Sequence, residues 1–284
     1  MSDLDTLRRH YAEELRAVSD LQSEALVAAF AKVSREHFLG PGPWQVRSPG
    51  FEGYWTTKDA DPKRLYHNIL VAIEPHRQLN NGHPSFLASL IDRMEIKPMN
   101  HVIHVGCGTG YYTAIMAEVV GREGHVSAIE VDTQLAARAH ANLNYFPNVE
   151  VIEGDGGEID AGPADAILVN AGATHPRPVW LNSLRLGGRL LLPLTVTDDA
   201  DGGGGGHVLK VTRQPGGLTA CFISGVGIFS CVGGRDPRLN DELKKAFKRG
   251  GSSSVQSLQR EPHEPADTCW LHTENFCLSN LQVT

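Results

Sequence analysis

The stretch from His101 to Gly110, HVIHVGCGTG, constrains this chain more than any other. His101 to Val105 is a β-rich run that follows Lys97-Pro98. Gly106, Gly108 and Gly110 come next, and then Tyr111 to Val120, an apolar run of helical length. Strand, glycine turn and helix in that order is how an α/β sheet offers backbone N–H groups and a helix N-terminus to a ligand. A dinucleotide fingerprint would read G-x-G-x-x-G. Here the third glycine comes one residue early and Tyr111 fills the slot the fingerprint gives to glycine. The G-x-G-x-G form suits a ligand whose ribose and amino-acid part lie over the turn, rather than a pyrophosphate.

Later strands strengthen that reading. Val126 to Glu130 reads as a second strand ending in an acid, and Glu130 lies about 20 residues past the turn, where a carboxylate can accept from ribose hydroxyls. A third strand, Val149 to Ile152, leads into Gly154-Asp155-Gly156, an acid in a tight turn within reach of an adenine amino group. A fourth, Ala164 to Asn170, ends in a small-residue loop, Ala171-Gly172-Ala173, where substrate groups meet the ligand in such a sheet. Trp180 to Leu184 reads as a short helix stopped by Gly187-Gly188, and Arg189 to Leu194 as a fifth strand. Asp198 to Gly206 holds five successive glycines and is expected to be a flexible hairpin connection with no chemistry, and His207–Thr212 and Thr219–Phe229 read as strands.

These motifs resemble the class I S-adenosylmethionine-dependent methyltransferases, and more closely the protein-L-isoaspartate O-methyltransferase family. The matching segments are Val33-Ser34-Arg35-Glu36-His37-Phe38, Gly106 to Tyr111, Gly154-Asp155-Gly156 and Leu186 to Pro193, within roughly residues 25–196. The resemblance implies a Rossmann-like α/β fold: a seven-stranded class I methyltransferase sheet with helices on both faces and an antiparallel hairpin at its edge. It implies S-adenosyl-L-methionine as cofactor, with Gly106 to Tyr111 at the methionine end, Glu130 on the ribose, and Asp155 with Gly156 on the adenine. The expected cofactor set is Leu79, Ser85, Gly106, Cys107, Gly108, Thr109, Gly110, Tyr111, Glu130, Val131, Asp155, Gly156 and Asn170. The family carries a serine beside the methyl donor in a T-I-S-x-P-H pattern. Counting back from the glycine turn without gaps puts Asn80 at that serine and keeps His83 at the histidine. A shift of two residues matches Pro84 to the proline and puts Gly82 at the serine. The serine is missing in either register, and Asn80 and His83 are the expected catalytic pair.

Around this centre the chain reads as three parts: 1–65, a helical cap with an irregular aromatic segment; 66–232, the cofactor-binding domain; and 233–284, a C-terminal appendage. An apolar stripe from Leu4 to Val33 predicts a helical extension. Gly40-Pro41-Gly42-Pro43 breaks it. Trp44, Phe51, Tyr54 and Trp55 then sit in a segment that either covers a ligand cleft or plugs the edge of the core. Tyr66 to Ile73 suggests a strand, and Phe86 to Met94 a helix with Pro84 near its start. In the tail, Asp241 to Arg249 reads as a basic helix, Gly250 to Ser254 as a flexible link, and residues 268–280 as apolar enough to dock back.

A formal charge of −7 argues against a nucleic-acid surface. There is no apolar run of membrane-spanning length and no signal-peptide pattern, so a cytoplasmic protein with no membrane partner is expected. Five scattered cysteines fit reduced thiols. Cys269, His272 and Cys277 match no usual zinc spacing, so no metal is expected.

A carboxylate nucleophile is ionised at neutral pH and needs no base, whereas a hydroxyl or amine would need one. His83 is the histidine best placed to serve as base or substrate contact; the alternative is a turn residue bonded to nearby backbone. His101 and His104 read as packing residues, and His175 as a lesser candidate for substrate contact. The expected activity is methyl transfer to a carboxyl group of a protein or peptide, in the manner of an isoaspartyl methyltransferase. The alternatives are a small-molecule O- or N-methyltransferase, or a cofactor-binding module without catalysis. The sequence fixes no oligomeric state.

Overall fold

The computed structural model describes residues 3–48, 53–198 and 203–283. In chain order the elements are α1 (Asp3–Ser19), α2 (Glu24–Lys32), β1 (Gln45–Arg47), β2 (Trp55–Thr56), β3 (Leu70–Glu74), β4 (Leu79–Asn80) and α3 (Pro84–Arg93). Next come β5 (His101–Val105), α4 (Tyr111–Val120), β6 (His125–Glu130), α5 (Thr133–Leu143), β7 (Val149–Glu153), β8 (Ala164–Val169), α6 (Pro178–Ser183) and β9 (Leu184–Val196). The chain finishes with β10 (Gly203–Gln214), β11 (Gly217–Phe229), α7 (Pro237–Arg249), β12 (Ser257–Gln259), β13 (Cys269–His272) and β14 (Cys277–Ser279). Two compact units emerge: residues 1–100 with 107–153, and residues 101–106 with 154–284. The division passes through the glycine turn, between Gly106 and Cys107.

In the first unit the predicted N-terminal helix is two helices. Asp20 takes a left-handed φ of 49°, which ends α1. The Ser23 side chain then caps α2 by accepting from the Leu26 N–H, and Asp92 accepts from the N–H groups of Gln22 and Ser23. A hydrophobic stripe alone cannot reveal such a break, because both helices continue it. Trp44 is buried with Leu39, Val46, Leu65, Ile69 and Val71, whereas Trp55 is 45% exposed. Phe51 lies outside the described residues. Strands β2-β1-β3-β4 form a small antiparallel sheet. β6 and β7 pair in parallel, with Glu130 opposite Glu153 at their ends. Helix α4 is buried on almost every side, as its largely apolar sequence requires, with Glu118 at its one partly exposed position.

The second unit is a sheet whose hydrogen-bonded order is β5-β8-β9-β10-β11-β12-β14-β13. β5, β8 and β9 run parallel; the remaining pairs are antiparallel. The predicted glycine-rich loop is corrected here. Gly203 to Gly206 are strand residues of β10, paired with β11, and Gly205 and Gly206 are also paired with β9. A Cβ on Gly206 would fall on the Leu194 carbonyl oxygen and one on Gly204 would crowd the Val196 carbonyl, so these two glycines serve close backbone approach rather than freedom. Residues 199–202 of that segment lie outside the described residues. β9 also starts earlier than expected, at Leu184, and runs through Gly187-Gly188. The tail docks as predicted, adding β12, β14 and β13 beyond β11. Trp270 packs edge-on against Phe222 and Phe247. No helix among the described residues is long and apolar enough to cross a membrane.

Candidate active site

Within the first unit the turn from Cys107 to Gly110 is tied to β6. The Cys107 N–H donates to the Ile129 carbonyl, and the Gly108 N–H donates to Glu130 Oε2 at 2.8 Å. The other oxygen of Glu130 accepts the Asp132 N–H at 3.1 Å. Glu130 is 7% exposed, and burial raises its pKa while the backbone N–H groups oppose that shift. The carboxylate keeps acceptor capacity for a ligand hydroxyl beyond these backbone donors. Gly108 has φ 59°, and a Cβ there would meet nothing nearer than Ile73 at 3.8 Å. Gly110 has φ 97°, and its Cβ would strike Leu143 at 2.7 Å. Gly110 is thus required by packing, whereas the space over Gly108 is open to a ligand's approach. The Tyr111 side chain turns inward among Phe30, Phe38 and Tyr112, so only its backbone is left for a ligand. Thr109 is buried and its carbonyl accepts from Asn142; Val131 is 42% exposed just past Glu130.

The segment from Leu79 to Ser85 is held by a buried arginine whose part sequence reasoning missed. Arg35, fully enclosed, donates to the carbonyls of Leu65, His67 and Ile69 and to Asn81 Oδ1. Its guanidinium also lies over the rings of Tyr11 and Tyr111. The only sequence signal was its place in Val33 to Phe38. Leu79 and Asn80 pair with β3, and Asn80 Oδ1 accepts the Gly82 N–H, so the side chain at the missing-serine position shapes a turn. His83 Nδ1 lies 3.1 Å from the Ser85 hydroxyl, and its Nε2 is buried with no hydrogen-bond partner among the described residues. Burial, with Arg35 and Arg47 nearby, lowers the His83 pKa and keeps the ring neutral. Ser85 is clasped by Asn68, which donates to its hydroxyl and accepts its N–H, both at 3.0 Å. Asn68 in turn lines a cavity of about 510 Å³ with Trp55, Lys58, Arg64 and His67. Asn68 was not singled out from sequence, because its partner lies 17 residues away.

In the second unit, Asn170 follows β8 with its N–H on the Val105 carbonyl and its side-chain amide 3.5 Å from the Gly106 carbonyl. Asp155 Oδ1 accepts the Gly157 N–H at 2.8 Å, forming a tight Asx turn. The Gly156 carbonyl accepts from Trp180 Nε1 at 2.7 Å, and a Cβ on Gly156 would strike Val105. His175 Nδ1 meets the Thr174 hydroxyl at 3.0 Å, and burial lowers its pKa. His104 is fully buried on β5.

The profile of the Protein-L-isoaspartate(D-aspartate) O-methyltransferase (PCMT) family matches residues 57–201. The chain belongs to that family. It is thereby a class I S-adenosylmethionine-dependent methyltransferase. Among relatives, the protein-L-isoaspartate O-methyltransferase of Pyrobaculum neutrophilum is 32% identical over 187 residues, covering 64% of this chain and 81% of the relative. The enzyme of the same name from Ignicoccus hospitalis is 39% identical over a shorter 115 residues, covering 39% of this chain and 54% of the relative. A solved structure of a β-aspartate methyltransferase (PCMT) from Plasmodium falciparum, in complex with S-adenosyl-L-homocysteine, superposes with a TM-score of 0.60. It is 18% identical, with 79% of this chain and 97% of that one covered, a likeness of fold.

Proposed function

We propose that this PCMT-family chain transfers a methyl group from S-adenosylmethionine to an isoaspartyl-type carboxylate of a protein or peptide. The observation that carries the reading is the Glu130 carboxylate bound to the Gly108 N–H beneath an open glycine turn. In this reading Gly106 to Tyr111 hold the methionine end, with Leu79 and Ser85 beside it. Glu130 and Val131 take the ribose, Asp155 and Gly156 the adenine, and Asn170 closes the set. When bound, the cofactor supplies a methyl on a cationic sulfur that already leaves readily, so the chain's own task is alignment. The cavity lined by Lys58, His67 and Asn68, with Glu14 in the same wall and Arg64 forked onto Asp59, offers the Lys58 ammonium and the Asn68 amide to a carboxylate-bearing peptide. Asn68 links that cavity to Ser85 and so to His83. Asn80 shapes the turn before His83, and His83 orients the substrate through its unpartnered nitrogen. A cytoplasmic location belongs to the same proposal and is supported by five cysteines that are all free thiols.

The test is incubation with methyl-labelled S-adenosylmethionine and an isoaspartyl peptide, followed by assay for a base-labile methyl ester. Ester formation on the isoaspartyl peptide, and none on its normal aspartyl counterpart, is expected. Cofactor binding without ester would sink the carboxylate reading. One observation favours a second reading: a neutral, half-buried His83 is fit to take a proton from a hydroxyl or amine. A base-stable methylated small molecule from a metabolite panel would select it.

A further inference from the structure

The C-terminal strands gather side chains that methyl transfer does not use. His263, Cys269, His272 and Cys277 each bring one ligand atom to a common point, all within 4.8 Å of one another. His272 faces Cys277 across the β13–β14 pairing. Cys269 opens β13, and His263, in the loop before it, sets Nε2 at 3.5 Å from the Cys269 Sγ. The two imidazoles meet edge to face, 4.8 Å between centroids.

Three details make this a donor set rather than a polar cluster. His263 Nδ1 lies 2.9 Å from the Glu261 carbonyl, which fixes the proton on Nδ1 and turns the Nε2 lone pair toward the group. The Ala266 N–H points at the Cys269 sulfur at 3.5 Å, a contact that favours thiolate. His272 Nδ1 is buried with no hydrogen-bond partner among the described residues, a desolvation cost that a metal bond nearby would offset.

We propose that these four residues form a structural zinc site. Two thiolates and two imidazoles are a soft set that selects Zn²⁺ over hard cations and fills a tetrahedron, leaving no position for water or substrate. With Zn–S about 2.3 Å and Zn–N about 2.0–2.1 Å, tetrahedral donors stand about 3.3–3.8 Å apart, so a contraction of about 1 Å completes the group. Binding replaces the two thiol protons with two Zn–S bonds and releases both protons to solvent. The site pins the loop containing His263 to the β13–β14 hairpin, and so holds Trp270 against Phe222 and Phe247. The H-x5-C-x2-H-x4-C spacing belongs to no familiar finger, because the hairpin register rather than the sequence interval brings His272 to Cys277.

The 284-residue chain, purified under reducing conditions from zinc-supplemented cells, is expected to carry about one zinc per molecule by mass spectrometry of the metal. Cobalt(II) added to the metal-free chain is expected to give thiolate-to-cobalt charge transfer and the visible bands of tetrahedral cobalt. Cys269→Ser and His263→Ala, both at the more accessible ligands, are expected to lose the zinc and the cobalt bands. A chelator is expected to lower the Tm of the parent chain and leave that of His263→Ala unmoved. Should Cys277→Ser fail to fold, these two variants still decide. Cobalt bands absent from the reduced chain, bands retained in both variants, or a Cys269–Cys277 disulfide in the intact mass of freshly purified protein would each overturn the proposal.

Discussion

Gly108 and Gly110 share a left-handed backbone, yet they are needed for different reasons, and two substitutions separate them. Gly110→Ala adds a clash with Leu143 to the backbone strain, so it should destabilise by about 2–5 kcal/mol in urea titrations. Gly108→Ala meets open space and should cost only about 1–2 kcal/mol. Its methyl stands where a ligand would approach, so calorimetry should show S-adenosylmethionine affinity falling by at least about tenfold. His104 gives a second prediction at this scale. Burial pushes its pKa down to about 3. The unfolded side chain titrates near 6.5, so between those values the unfolded state binds more protons and stability falls as pH falls. Between pH 7 and 5 the loss from His104 alone should be about 2 kcal/mol, and His104→Leu should flatten the acid limb of stability by that amount. His83 and His175, also lowered by burial, act in the same direction.

Among the elements, the glycine-rich start of β10 is where sequence reading and structure part. Five glycines in a row carry no side-chain pattern, so nothing in their order distinguishes a loop from a strand. What decides is the partner: β9 on one side and β11 on the other, close enough that a side chain at Gly206 would occupy a neighbour's carbonyl. Gly206→Val should therefore break the β9–β10 pairing and destabilise by about 3 kcal/mol or more, read by thermal unfolding. Gly205→Val, with nothing within 4 Å of its Cβ, should be neutral or stabilising by up to about 1 kcal/mol. The helices show the converse. Pro84 in the first turn of α3 and the body of α7 from Asp241 to Arg249 were legible, whereas the first turn of α7, which starts at Pro237 under the Asp236 cap, was not read. The break at Asp20 was not, because it depends on Asp92, 70 residues from Gln22.

Across the whole chain, the tail is a built part of the second unit rather than an appended strand of sequence. Trp270 is 6% exposed, and its indole N–H donates to the Gly250 carbonyl at 2.8 Å. Trp270→Ala should cost about 3–5 kcal/mol in denaturant titrations and leave S-adenosylmethionine affinity within about twofold, because none of the proposed cofactor residues lies beyond Asn170. The sequence by itself determined the parallel strands, the glycine turn, the acids at Glu130 and Asp155, and through them the family. Each of these is a short-range pattern in which strand, turn and acid follow one another along the chain. Only the tertiary structure decided that Arg35 braces Leu79 to Ser85, that Asn68 clasps Ser85, and that His263 joins Cys269, His272 and Cys277. Those assemblies depend on backbone register and burial between distant segments, and a linear spacing carries no measure of either.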